Sequence, residues 1–397
     1  MDFQLITYQQ NSLSAADISH FSMQEAAKAQ KFHSSFPIYQ QTPLCSLSAL
    51  ASVLGVKSIE VKDESKRFGL NAFKVLGGSY ALGRYIAEKL NKNIDELPAE
   101  AILSQDVHQQ LGALTFGTAT DGNHGRGVAW TAAQLKQKSV VYMPKGSAQE
   151  RLNNIRAEGA EAYITEYNYD DAVRLAAKHA EKKGWILVQD TTQDGYEDIP
   201  RWIMQGYTTM GYELVQQLQE APTHLFLQAG VGSMAGAMAA FFASYYGEQR
   251  PYIIIVEPND ADCIFRTAEA NDGALHCVSG DMNTIMAGLA CGEPCSLGWE
   301  MLKHCADAFI RCPDYAAADG MRILASPKDN DPVIISGESG ASTLGCAANI
   351  LSDPALQSLK EQLKLNEQSR LLFISTEGDT DKENYRNIVW FGKYSRP

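Results

Sequence analysis

Along most of its length the chain repeats one unit: a short β-branched or aromatic run, a turn rich in glycine or acid, then an alanine-rich amphipathic stretch. Strands are predicted at 58–61, 114–119, 139–143, 162–165, 185–189, 224–228, 252–256, 332–336 and 371–375, and helices at 79–90, 128–136, 149–158, 170–182 and from the turn after residue 228 to about 246. Such alternation predicts an α/β fold with a mostly parallel sheet. Ligands of these sheets sit beyond the carboxyl ends of the strands, at a switch point. TDGNHG, QDTTQDG, QAGVGSMAG, EPND, SGESG and STEGD each follow a predicted strand, which favours a catalytic cleft over a binding scaffold.

Charge and composition narrow the function classes. Lys and Arg number 34 against 47 Asp and Glu, a net charge of −13 with no basic tract to offset it. That argues against nucleic acid and against anionic lipid as partners. Asp2 precedes any Lys or Arg, and the first of those is Lys28, the opposite of a secretory or transit leader, so a cytoplasmic setting is expected. The most apolar stretch, 225–246, is broken by Gln228, Ser233 and glycines, and reads as strand, turn and helix rather than a membrane span. Eight cysteines without a CxxC pair match an ordinary reduced enzyme; Cys291 and Cys295 are close but lack further metal ligands, so no metal is expected.

Three constellations carry chemistry. Glycines 230, 232 and 236 in QAGVGSMAG permit a tight turn whose following helix offers free N–H groups to an anion. One phosphate held by backbone amides is the economical reading; a dinucleotide is the rival, since Glu257 in EPND stands where a ribose-binding acid would. Lys74, between Phe73 and Val75 ahead of an apolar helix, is a candidate for carbonyl chemistry if desolvation lowers its pKa; a lysine snorkelling at a helix start is the plainer alternative. Thr118–Gly127 packs Asp121, Asn123 and His124 between glycines at a strand-to-helix turn, where free amides suit a carboxylate. Asp121 acts there as a base, faces a cationic part of a substrate, or simply caps the helix.

Taken together, QTPLCSL (41–47), NAFKVLGGSYA (71–81), TDGNHGRGVAW (120–130), VQDTTQDGYEDIP (188–200), WIMQGY (202–207), IMAGLACGEPC (285–295), SGESGA (336–341) and STEGDTD (375–381) resemble the fold type II pyridoxal-phosphate enzymes, the group of serine and threonine dehydratases and tryptophan synthase β. Within that group the chain is most similar to the diaminopropionate ammonia-lyases, from about residue 30 onward. The resemblance implies a large domain in two parts, 1–110 and 190–397, a small α/β domain at 111–189, and a homodimer acting on a small amino acid. It assigns the cofactor aldehyde to Lys74, with Phe73 beside it. Asn123 is placed near the cofactor's 3′ oxygen, Gly230, Val231, Gly232, Ser233, Met234 and Gly236 around its phosphate, and Ser375 or Thr376 at its ring nitrogen. Substrate is expected at Ser79, Thr120, Asp121, Gly122, His124 and Asp190, with Lys74, Asp121 and Asp190 catalytic; Asp194 competes with Asp190 for the second carboxylate.

The dehydratase pattern has serine, serine, glycine, asparagine and histidine at this turn, whereas this chain has Thr120, Asp121, Gly122, Asn123 and His124. A carboxylate in place of the second serine favours a β-ammonium over a β-hydroxyl substrate. The expected reaction is therefore α,β-elimination from L- and D-diaminopropionate to pyruvate and two ammonia, and a serine or threonine dehydratase or β-replacement enzyme is the alternative.

Overall fold

The computed structural model describes residues 2–8, 17–192 and 195–396. Two sheets carry the architecture. The larger contains β1 (Gln4–Thr7), β2 (Leu44–Ser46), β3 (Ser58–Asp63), β8 (His224–Gln228), β9 (Tyr252–Pro258), β10 (Ala308–Cys312) and β11 (Arg370–Ser375), in the spatial order β1-β10-β9-β8-β11-β3-β2. Its five inner strands run parallel, and the short edges β1 and β2 pair antiparallel. The smaller sheet, all parallel, has the order β6-β5-β4-β7, from β4 (Thr115–Ala119), β5 (Lys138–Met143), β6 (Glu161–Ile164) and β7 (Ile186–Leu187). The central strands are continuous apolar runs, as HLFLQ in β8 and IIIV in β9, because helices cover both of their faces.

The α/β pattern read from the sequence is therefore the fold, with differences where chain chemistry is weak. No strand forms at 332–336. Val333 is 61% exposed, and the segment docks only through Ile334, whose N–H is on Leu324 O, and the buried Ser336, so it is an extended connection without a sheet partner. The edges β1 and β2 are three or four residues long, and Arg311 interrupts the apolar run of β10; none of the three stood out as a strand.

Helix packing fixes the start of the helix Val75–Lys89. A Cβ on Gly206, in the helix Asp198–Gln217, would lie 2.4 Å from Leu76 O, and one on Gly127, in the helix Asn123–Gln134, would lie 2.8 Å from Val75 Cα. Both neighbours thus press their backbones against the first turn that follows Lys74. Any side chain at either glycine would push that turn, and the lysine with it, out of place.

Candidate active site

The carboxyl ends of β8 and β11 in the large sheet face those of β4 and β7 in the small one. Between them lies a cavity. Its lining includes Phe73, Lys74, Thr120, Asp121, Asn123, His124, Asp190, Gly230, Val231, Gly232, Ser233, Met234 and Thr376, brought from four strand ends and the start of one helix.

Lys74 Nζ lies 2.5 Å from Asp190 Oδ2, with the rings of Phe73 and Tyr207 at 5.7 and 5.9 Å. Burial pulls the ammonium pKa down, but the carboxylate of Asp190 outweighs it and the Lys74 pKa is raised, contrary to the lowered value expected from its apolar neighbours. Burial likewise pushes Asp190 up, yet Lys74, His124 and the hydroxyl of Tyr169 bring it well below the usual carboxylate range. Asp190 is held on every side: Tyr169 Oη donates to Oδ1 at 3.1 Å, and Ser233 Oγ donates to its backbone carbonyl at 2.5 Å. That last bond ties the glycine turn directly to the acid beside Lys74.

The glycine turn bends through Gly232, whose φ of +92° suits glycine, into the helix Ser233–Tyr246. The first N–H groups of that helix have no intrahelical acceptor and open on the cavity. Across the cavity, Thr120 Oγ1 accepts from the N–H groups of Gly122 and Gly125 at 2.9 and 3.1 Å, shaping the TDGNHG turn. His124 Nε2 donates to Val188 O at 2.8 Å; burial lowers the pKa of this imidazole, and its Nδ1 has no hydrogen-bond partner among the described residues. Asn123 Nδ2 donates to Glu377 Oε2 at 2.6 Å. Asp121 Oδ2 accepts from Arg151 Nη1 at 3.1 Å; burial, opposed by Arg151 and Lys74, raises the pKa of its carboxyl. Thr376 Oγ1 accepts from Gln228 Nε2 at 2.9 Å, which leaves its own O–H free to donate.

Several expected residues lie elsewhere. Ser79 is fully buried on the far side of its helix, where its hydroxyl meets His33 Nε2 at 3.1 Å. Gly122 supports the turn through its N–H on Thr120 and is packed under Arg151 rather than facing the cavity. Gly236 allows helix contact: a Cβ there would lie 2.7 Å from Gly298 O. Ser375 donates to Ser336 Oγ at 2.8 Å, away from the cavity, so of the two hydroxyls it is Thr376 that faces inward. Glu257 is no ribose ligand: it is fully buried and accepts from the N–H groups of Ile264 and Phe265 at 2.9 and 2.6 Å, capping the helix Cys263–Ala270. That removes the acid on which the dinucleotide reading leaned. Cys291 and Cys295 are buried free thiols. Asp194 lies outside the described residues.

Three side chains that sequence reasoning did not single out complete the site: Glu377 on Asn123, Tyr169 on Asp190 and Arg151 on Asp121. Glu377 stands in the STEGD turn, a signal that was present; Tyr169 and Arg151 sit in ordinary-looking helices.

The cavity offers a primary amine between aromatic rings, a glycine cradle at a helix start and a free hydroxyl opposite, a donor set that fits an aldehyde-bearing phosphate cofactor. A family model described as "Pyridoxal-phosphate dependent enzyme" matches residues 36–376. Diaminopropionate ammonia-lyase of Escherichia coli strain K12 is 53% identical over 378 residues, 94% of each chain. Crystal structures of the Escherichia coli diaminopropionate ammonia lyase superpose closely: the holo enzyme with a TM-score of 0.92 at 49% identity, covering 100% of this chain and 98% of that one, and its complex with D-serine with a TM-score of 0.91 at 49%, covering 99% and 98%.

Proposed function

The chain belongs to the pyridoxal-phosphate-dependent enzymes, and from that premise we propose that it eliminates ammonia from 2,3-diaminopropionate, which with one water yields pyruvate and two ammonia. The observation that carries the reading is a single amine, Lys74, paired with the carboxylate of Asp190 in a cavity that a second carboxylate, Asp121, also lines opposite an anion cradle. Two acids beside the reacting amine suit a substrate with two ammonium groups and suit a β-hydroxyl poorly.

Lys74 would hold the cofactor, the amides from Gly230 to Met234 its phosphate, Asn123 its 3′ oxygen, and Thr376 O–H its ring nitrogen. When bound, the cofactor supplies an aldehyde for the substrate's α-amine and a sink for the electrons released at Cα. The chain's own residues do the rest. Free N–H groups of the turn from Thr120 to His124 orient the substrate carboxylate. Asp190 takes the distal ammonium and keeps the departing nitrogen charged, since a neutral amine leaves badly. Its carboxylate is already held by Tyr169 and its backbone by Ser233. Lys74 takes the α-proton of the L isomer, and Asp121, from the opposite wall, that of the D isomer. As the resemblance implies, the working unit is a homodimer, which light scattering would report as twice the 43.5 kDa chain mass.

The test is a panel of L- and D-diaminopropionate, serine and threonine, scored for pyruvate and 2-oxobutyrate. Both diamines should far exceed the hydroxy amino acids; faster turnover of threonine would make the enzyme a dehydratase. Asp121→Asn should lose most D turnover, about 10²–10⁴-fold for a general base, while the cofactor absorbance stays. Wild-type rates with both isomers would remove Asp121 from the mechanism.

A further inference from the structure

Arg151 is 5% exposed and belongs to the helix Gln149–Ala157 of the small sheet, yet its side chain leaves that unit's own core. Its aliphatic stem lies across the TDGNHG turn, close enough that a Cβ on Gly122 would meet Arg151 Cδ at 3.0 Å. From there the guanidinium gives Nη1 to Asp121 Oδ2 at 3.1 Å and points Nη2 toward Glu338 Oε2 at 3.9 Å, at the start of the helix Glu338–Ser352. Arg151 Nε has no hydrogen-bond partner among the described residues. A second cavity, more open to solvent, has Arg151 in its lining, and Asp121 and Tyr169 line both cavities. Asp121 is thus the acid on the boundary between the outer space and the reacting centre, and the arginine is fastened to it by packing as well as charge.

We propose that Arg151 is a positioning residue: its guanidinium keeps the Asp121 carboxylate ionised and turned to the inner cavity, and turnover of the D isomer depends on it. The inference rests on the proposed role of Asp121 as base for that isomer. The groups that face Asp121 are Arg151 and Lys74, which favour its charge, Glu377 and Asp190, which oppose it, and Tyr169 and Cys291 nearby; Glu338 competes for Arg151 from the other side. Of the two cations, Lys74 reacts through its amine and must lose its proton to do so, whereas Arg151 keeps its charge throughout. Without it, a carboxylate already pushed up by burial, with two acids beside it, takes up a proton in the range where it should accept one. Lys74, the base proposed for the L isomer, makes no contact with Arg151 and supplies the internal control.

The experiment compares pH profiles of kcat/KM for D- and L-diaminopropionate in the holoenzyme. Arg151→Met keeps the stem against Gly122 and removes the charge, and Arg151→Gln serves if the first does not fold. The acidic limb of the D profile should move up by about 1–3 pH units, the span typical of losing an adjacent opposite charge, while the L limb stays. Arg151→Lys should bring the D limb most of the way back, which a merely structural role would not do. A D profile that overlays the wild type, or D and L limbs that move together, would overturn the proposal. Asp121→Asn is run in parallel: if it keeps D turnover, the base assignment has failed and this inference falls with it. If it loses D turnover while the Arg151 profiles are unchanged, the inference alone is wrong.

Discussion

Two buried groups of charges in this molecule have the same composition, one lysine, one arginine and two carboxylates, and opposite wiring. In the first, at the end of β3, Arg67 gives Nε and Nη2 to Glu64 at 2.8 Å each, and Nη1 and Nη2 to Glu213 at 2.7 and 2.8 Å. Lys62 Nζ adds Glu213 at 2.6 Å, Gln217 at 2.7 Å and the carbonyl of Thr42 at 2.8 Å. All four side chains are sealed from solvent. In the second, around the cavity, Lys74 meets Asp190 and Arg151 meets Asp121 by one hydrogen bond each, while His124 Nδ1, Gln228 Oε1 and Arg151 Nε lack partners among the described residues. Closed wiring has nothing left to offer a ligand and acts as scaffold. Open wiring costs stability through unsatisfied buried groups and leaves them available for binding and proton transfer.

If that contrast holds, equivalent substitutions should have unlike consequences. Lys74→Ala should abolish turnover and the absorbance of covalently held cofactor without large loss of fold, whereas Lys62→Met should leave turnover per folded molecule intact; absorbance spectra and rates on both proteins check it. Glu213→Ala leaves two cations without their carboxylate in a sealed interior and should cost about 3–5 kcal/mol in a denaturant titration. Asp190→Asn should act on both binding and departure of the ammonia: loss of one charge-assisted hydrogen bond, about 1.5–3 kcal/mol, predicts a kcat/KM for diaminopropionate roughly 10- to 100-fold lower, read from steady-state kinetics.

The smallest effect is in pH, and its sign separates the groups. Burial pushes Glu213 up, but Arg67 and Lys62 prevail and hold it below the ordinary 4.5. The unfolded chain therefore takes up that proton first; the stabilisation is whole above about pH 4.5 and is lost as pH falls toward the folded value. Glu338, beside Arg151, goes the other way: burial, opposed by Arg151, raises it to about 7. The folded chain keeps that proton longer, so stability is lost as pH rises from about 4.5 to about 7. Each titration is worth up to about 1.4 kcal/mol per pH unit within its window. Glu213→Gln should flatten the acid side alone and Glu338→Gln the neutral side alone, as measured by unfolding midpoints against pH.

Periodicity exposed the frame because buried parallel strands must be continuous apolar runs: β8 was readable to the residue, and β11 to within one. Lys74, Asp121 and Asn123 were legible because glycines mark the turns that hold them. What stayed hidden depends on distance in the chain. Glu377 reaches Asn123 across 254 residues, and the ion pair of Asp190 with Lys74 spans 116, so local pattern could not give the direction of the lysine's shift. Ser79, Gly236 and Ser375 sit in the right motifs but on the inward-packed side, and orientation within a motif is decided by neighbours such as His33, Gly298 and Ser336.

Everything proposed for the cavity depends on Lys74 being the amine that takes the cofactor. Borohydride reduction of the fully loaded protein, followed by peptide mapping, should put the pyridoxyl label on the peptide containing Lys74 and on no other lysine, Lys62 included; a label elsewhere, or none in loaded protein, would rule Lys74 out.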